Sequence, residues 1–384
     1  MAVYIQGQGI TQFGELWDRD LRSLAVEAAL KALKDAKLTI KDIDAIYIAN
    51  MNTSAFTGQE HLGALIASEL QSDKPAMRVE GACASGSLAI NAAFNALRSG
   101  SYKRVLVIGV EKMTDIEGGL ATQALAAASD EEWESYYGAT FPSLYALMAR
   151  EHMRRFGTTR EDLALISIKN HYHAVLNPIA QFKKEIKVDD VLKAPVVADP
   201  LGLLDCSPIS DGAAAIILGV EEPKGKPVEL VASEIATSSI ALHDREDITS
   251  LDAAVKASSK AYEALKIKPG DIDIAEVHDC FTIAELIAYE DLGFAPKGRA
   301  RDELRRGHYH REGKLPVNVS GGLKACGHPV GATGVKQAIE IYLQLSGLAG
   351  KRQVKKKRLK LGLTHNVGGT GATCVINIFK SEVK

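Results

Sequence analysis

Between Leu21 and Leu33 the apolar residues Leu21, Leu24, Ala25 and Ala28 recur at spacings of three and four, which puts them on one face of a helix. A short, wholly apolar run, Ala45 to Ala49, follows and reads as a buried strand. The same succession returns far along the chain. Ala253 to Ala257 and Ala261 to Leu265 carry a second helical pattern, and Asp271 to Val277 a second strand. Setting Asp42-Ile43-Asp44 against Asp271-Ile272-Asp273 gives an offset of 229 (271 − 42), which also pairs Lys37 with Lys266 and Leu38 with Ile267. Self-similarity at one offset predicts an internally duplicated chain.

The echo continues. Val79-Glu-Gly-Ala-Cys-Ala-Ser-Gly86 before a helix from Ser87 to Leu97 is matched by Val317-Asn-Val-Ser-Gly-Gly322 before a helix from Gln337 to Leu345. Each half then returns to a buried strand, Arg104 to Val110 and Arg358 to Thr364. Strands alternating with helices predict an α/β fold of two similar mixed sheets sharing a central layer. The halves are expected to span about 1–225 and 226–384. Between about Asp115 and Asp211 the rhythm gives way to a polar stretch holding Asn177-Pro178 and Asp199-Pro200, expected to be an irregular inserted cap.

Composition narrows the class of partner. The formal net charge of −2 gives no global field for nucleic acid or an anionic membrane, so a polyanionic ligand must be held by a local basic patch. The basic run Lys351 to Arg358 has no interleaved aromatics and reads as a solvated loop before a strand. No apolar run is long enough to span a bilayer, and the opening residues lack the basic and apolar regions of a secretory signal, so a cytoplasmic location is expected. Five scattered cysteines, Cys83, Cys206, Cys280, Cys326 and Cys374, make a poor disulfide framework and are expected as free thiols.

Four segments carry candidate chemistry. Cys83, in Gly81-Ala-Cys-Ala-Ser-Gly-Ser87, precedes a helix whose dipole favours a thiolate, and its small neighbours leave room for a substrate; alone, it fits a small core residue equally well. His278 and Cys280, in Val277-His-Asp-Cys-Phe281, stand two apart at a strand end and so share a face from which Asp279 points away. His328 lies in Cys326-Gly-His-Pro-Val-Gly-Ala-Thr-Gly334, whose glycines allow close ligand approach. His365-Asn-Val-Gly-Gly-Thr-Gly371 follows the last central strand and offers backbone N–H groups to an oxyanion or phosphate. The pairs His171/His173 and His308/His310 have metal-like spacing, but no nearby Cys or carboxylate completes either set, and no metal is expected.

In this order the segments resemble the thiolase family over nearly the whole chain, and the His278-Asp-Cys-Phe281 version resembles the archaeal and sterol-carrier-type thiolases. Asp205 to Ala215 is also similar to the family's approach to the last strand of the first half. The resemblance implies duplicated βαβαβαββ halves in a five-layered α-β-α-β-α arrangement. It implies a reversible Claisen condensation of acyl-coenzyme A thioesters, with Cys83 as nucleophile, His328 as its base, Cys280 as acid/base, and His278 with His328 near the second thioester oxygen. The backbone N–H groups of Cys83 and Gly368 would hold the first oxyanion. Other thiolases carry a second cysteine in the last loop; here Asn366 stands there and Cys280 takes over the thiol, which leaves Asn366 without an assigned role.

Coenzyme A and acetyl-CoA are then substrates, with no permanently bound cofactor. The resemblance further implies a homodimer or homotetramer, and archaeal relatives suggest assembly with a hydroxymethylglutaryl-CoA synthase and a small zinc-bearing bridging protein. Three alternatives share some of these features. A decarboxylating β-ketoacyl synthase needs no second acid/base thiol such as Cys280, and a retro-aldol enzyme of the same fold needs no nucleophile such as Cys83. A non-catalytic acyl-CoA-binding subunit needs none of the four polar groups.

Overall fold

The computed structural model describes residues 1–355 and 359–381. Positions 356–358 of the basic run, which include the start of the strand expected from Arg358, lie outside them, as do 382–384. Nine strands make one mixed sheet: β1 (Tyr4–Ile10), β2 (Ala45–Ala49), β3 (Ala76–Val79), β4 (Arg104–Glu111), β5 (Gly212–Gly219), β6 (Val228–Thr237), β7 (Ile274–Glu276), β8 (Leu361–Gly368) and β9 (Thr373–Ser381). The main helices are α1 (Leu21–Ala36), α2 (Ser85–Arg98), α3 (Phe141–Phe156), α4 (Arg160–Ala174), α5 (Asp252–Leu265), α6 (Thr282–Asp291) and α7 (Val330–Ser346).

The strand order, β3-β2-β4-β5-β1-β6-β9-β8-β7, is two copies of one pattern joined where Tyr4 of β1 pairs with Glu229 of β6. In the first copy β2 runs parallel to β3 and β4, and β4, β5 and β1 are successively antiparallel. In the second, β7 runs parallel to β8, and β8, β9 and β6 are successively antiparallel. The place of β3 is held by a lone parallel bridge between Ala275 and Val317. The duplication reaches single residues. α1 and α5 end on Lys37 and Lys266, both left-handed at φ 57° and 55°, and 266 − 37 is again 229. Asp44 accepts from the N–H groups of Lys103 and Arg104 just as Asp273 accepts from those of Lys360 and Leu361, fixing the register of each central strand.

Alternation of side chains along the strands builds five layers. Ile46, Ile48, Ile108 and Ile217 pack outward on Leu24 and Ala28 of α1. Tyr47, Val107, Ile216 and Leu218 pack inward on α2 and α7. Beyond the second set of strands, Leu363, Ile376 and Ile378 meet Ala257 of α5 and Ile287 of α6. The central helix α7 buries 15 of its 17 residues, so the charges it carries are paired: Lys336 with Glu276 at 3.1 Å and Glu340 with Arg352 at 2.9 Å. Among the described residues no helix is long and apolar enough to cross a membrane.

The stretch from Asp115 to Asp211 departs from the expectation of irregular structure, because α3 and α4 occupy much of it. Pro142 stands in the first turn of α3, where its missing N–H costs nothing, and Thr159 with Asp162 forms a reciprocal cap at the start of α4. Pro178 and Pro200 fall outside the helices.

α2 and α7 approach until no side chain fits between them. A Cβ on Gly334 would stand 2.4 Å from the Ser87 nitrogen and 2.3 Å from Asn366 Oδ1, and one on Gly86 would stand 2.7 Å from the Gly334 nitrogen. Gly334→Ala is therefore expected to destabilise the fold by roughly 1–3 kcal/mol or more through overpacking. Denaturant midpoints check this, and an unchanged midpoint contradicts the close contact.

Candidate active site

Cys83 sits in a single 3-10 turn, Ala82–Ala84, between β3 and α2. The turn is held tightly: Ala82 is left-handed at φ 51°, Ser85 Oγ donates to Ala82 O at 2.6 Å, and the Gly81 N–H donates to Ser85 Oγ at 3.0 Å. A non-glycine residue in that region is strained, and the surrounding hydrogen bonds keep it there. The thiol is buried, and burial pushes it up to about 12 against hydrogen bonds from the backbone N–H groups of Gly369 and of Cys83 itself. The expected thiolate is thus not the resting form. A helix dipole is worth about 0.3–1 kcal/mol, under one pKa unit, and desolvation outweighs it.

β7 ends at Glu276, so His278 and Cys280 stand beyond the strand rather than on it, and of the two Cys280 lines the cavity described below; Asp279 turns away as expected. Its carboxylate accepts from the N–H groups of Leu323 and Lys324 and from Asn170, and so anchors the segment that leads to His328. The His278 and His328 rings meet edge to face with centroids 5.2 Å apart. One ligating atom each from Cys83, His278 and His328 lie within 4.8 Å of one another. His328 contacts Thr333 Oγ1 through Nδ1 at 2.7 Å, and its backbone N–H donates to Ser210 Oγ at 2.9 Å. Burial pulls His328 down to about 3, with the Lys336 charge adding to the effect; burial also holds His278 well below the usual imidazole range. Cys280 is held well above the usual thiol range by burial and by the neighbouring Cys83.

The last motif differs from expectation in its backbone. His365, Asn366, Val367 and Gly368 belong to β8, and the turn begins only at Gly369. Gly368 is paired with Thr373, with no space for a side chain against Gly81 O, while Gly369 lines the cavity. Asn366 is fully buried: its Oδ1 accepts from the Ser87 N–H at 3.2 Å, and its Nδ2 donates to Cys83 O at 2.9 Å.

Cys83, Cys280 and His328 open on one cavity of about 330 Å³. The stretch from Asp115 to Asp211, inserted in the first half, supplies much of its wall, including Thr122, Leu125, Phe141, Tyr145, Val197 and Leu203. Cys206 also lines it. Tyr145 is a site residue without a signal in the sequence, since an aromatic on the apolar face of a helix reads as core. Its hydroxyl donates to Gly369 O at 3.0 Å, is in hydrogen-bond contact with Cys280, and its ring stacks on Phe281 at 4.6 Å. The paired histidines lie apart from this cavity. Both nitrogens of His173 are taken, by Asn318 O and the Arg311 N–H; His171 contacts Lys184 O, and His308 contacts Glu303.

Residues 3–222 match the family model for the thiolase N-terminal domain, and residues 235–381 match that for the thiolase C-terminal domain-like region. The chain belongs to the thiolase family. Among relatives of this thiolase, the acetyl-CoA acetyltransferase of Methanothermobacter thermautotrophicus is 50% identical over 382 residues, covering 98% of this chain and 99% of that one. Sterol carrier protein 2 of Bos taurus is 36% identical, covering 98% of this chain and 72% of the longer protein. The fold is shared with the Ltp2–ChsH2(DUF35) aldolase (TM-score 0.84, 24% identity, 98% and 97% of the chains). It is shared also with the Acat5 thiolase of Ascaris suum in complex with coenzyme A (TM-score 0.74, 19% identity, 100% of both chains).

With His328 held down at about 3, its imidazole is neutral at every pH above that value, so the base form is not lost on passing through the ordinary histidine range. Single-turnover acylation of Cys83 by acetyl-CoA is expected to show no loss of rate between roughly pH 8 and pH 5 from histidine protonation. A fall in rate centred near pH ~6.5 contradicts the buried, neutral imidazole.

Proposed function

We propose that this thiolase catalyses the reversible condensation of two acetyl-CoA molecules to acetoacetyl-CoA and coenzyme A, through an acyl group carried on Cys83. The observation that carries the reading is the meeting of Cys83 and Cys280, one from each half, with His328 on one cavity. A condensation with proton abstraction needs two thiols in different roles, one to carry the acyl group and one to move a proton.

In the first half-reaction His328 takes the Cys83 proton as the sulfur attacks the thioester carbonyl, and the same proton leaves on the sulfur of coenzyme A. Because Cys83 rests as a thiol, base and nucleophile must act together. The backbone N–H groups of Cys83 and Gly369, both already at the sulfur, are the donors for the oxyanion, in place of that of Gly368, which is paired with Thr373 in the sheet. In the second half-reaction the oxygen of a new acetyl-CoA lies near His278 and His328; His328, neutral again, takes the Cys280 proton as the Cys280 sulfur removes a methyl proton. The carbanion attacks acyl-Cys83, forming the carbon–carbon bond and breaking the thioester bond, and the released Cys83 sulfur takes back the proton held on His328. In reverse, Cys83 attacks the keto carbon and Cys280 returns the proton to the departing acetyl-CoA carbanion. Coenzyme A and its thioesters enter only as substrates.

A division into halves of about 1–225 and 226–384 suits this chemistry, since each half contributes one thiol. A homodimer or homotetramer, a cytoplasmic location and assembly with a hydroxymethylglutaryl-CoA synthase and a small zinc-bearing bridging protein belong to the same proposal.

The test is loss of acetoacetyl-CoA absorbance on adding coenzyme A. Wild type is expected to cleave, while Cys83→Ala and Cys280→Ala each lose at least about 10³-fold in turnover. Cys280→Ala still becomes acetylated by acetyl-CoA, because its lesion lies after acylation. Acylation without cleavage by the wild-type chain contradicts the reading and points to an acyl-binding subunit.

A further inference from the structure

Asn366, left without a role by the sequence, is wholly buried and hydrogen-bonded at both ends of its amide. Its amide has one accepting end and one donating end, and two neighbours fix which is which. The Ser87 N–H can only donate, so the atom 3.2 Å away is Oδ1; the Cys83 carbonyl can only accept, so the atom 2.9 Å away is Nδ2. That same Nδ2 stands 3.2 Å from His278 Nδ1. Two N–H groups do not face each other at that distance, so His278 Nδ1 offers a lone pair. The ring is held neutral by burial, so its one proton sits on Nε2, which has no partner among the described residues.

We infer that Asn366 is a positioning residue that fixes His278 in the Nε2–H tautomer, and that this makes the Cys83–His278–His328 cluster a donor site for a thioester oxygen in place of a metal site. The inference deepens the proposed function and rests on it for the identity of the oxygen. A cysteine sulfur and two imidazoles within 4.8 Å of one another are otherwise a soft-metal ligand set. Metal binding needs a free lone pair on each ring. At His278 one lone pair is taken by the Asn366 amide and the other nitrogen carries the proton, so neither is free. A carboxylate at position 366 reverses this: it accepts from His278 Nδ1–H and turns the Nε2 lone pair outward, the arrangement that raises metal affinity in carboxylate–histidine–zinc sites. It also stays compatible with the Ser87 N–H in the first turn of α2.

Two measurements test this. In the wild-type chain, ¹⁵N NMR of labelled histidine is expected to show His278 with an unprotonated Nδ1 and a protonated Nε2; the opposite tautomer overturns the inference, and no variant has to fold for that result to count. In Asn366→Asp the tautomer is expected to reverse. Exchange of acetyl-CoA methyl protons with solvent then falls by about 10²–10⁴-fold, the range for a lost oxyanion donor or a wrong histidine tautomer. The zinc chloride concentration that half-inhibits Cys83 alkylation falls by about tenfold or more. A folded Asn366→Asp chain with unchanged tautomer and unchanged zinc sensitivity assigns Asn366 a purely structural role and overturns the inference. Acetoacetyl-CoA cleavage by a wild type carrying the proton on Nδ1 defeats this inference alone; the expected tautomer in a chain that cannot cleave defeats the proposed function and leaves the tautomer standing.

Discussion

The site depends on the close approach of α2 and α7, which brings the first turns of two helices from opposite halves into backbone contact. Gly86 and Gly334 leave no room for a side chain there. Each helix start carries one reactive group just ahead of it, Cys83 before α2 and His328 before α7. Contact between the helices therefore brings Cys83 and His328 within 4.8 Å of each other. Asn366 crosses the same seam from β8, bonding to Ser87 and Cys83 of the first half and to His278 of the second. Glu111 adds a further tie: buried, raised to about 7 by desolvation, it accepts from the N–H groups of Met51, Asn52 and Gly331, and so joins the loop after β2 to the start of α7.

Burial at this seam sets the chemistry. With Cys83 raised to about 12 and His328 lowered to about 3, no ion pair rests between them, and both are neutral. The same dryness strengthens the hydrogen bonds that the Gly369 and Cys83 N–H groups direct at the Cys83 sulfur.

Much of this was legible in the sequence. The offset of 229 forecast the repeat and paired Lys37 with Lys266, and the structure finds both lysines left-handed at the ends of α1 and α5, because identical helix ends need the same residues at the same spacing. The meeting of Cys83, Cys280 and His328 on one cavity, with His278 beside them, joins three short motifs that stand out in the sequence. Other features had no local signature. Tyr145 looks like any aromatic on an apolar helix face, and only the fold brings it to Cys280. The helices α3 and α4 were obscured by prolines that lie at a first turn or outside them. The thiolate expected from the helix dipole failed because desolvation is a property of the packed interior. The place of Asn366 emerged only from partners 279 and 283 residues away in the chain.

The central claim is that Cys83 carries the acyl group and does so from a buried, neutral resting state. Mass spectrometry of the wild-type chain quenched in acid after mixing with acetoacetyl-CoA, with no added coenzyme A, tests it most directly. The account predicts one acetyl group on the peptide that holds Cys83, removed again when coenzyme A is supplied. Acetyl groups absent from Cys83, or found instead on Cys280 or Cys206 and released by coenzyme A at the turnover rate, contradict it.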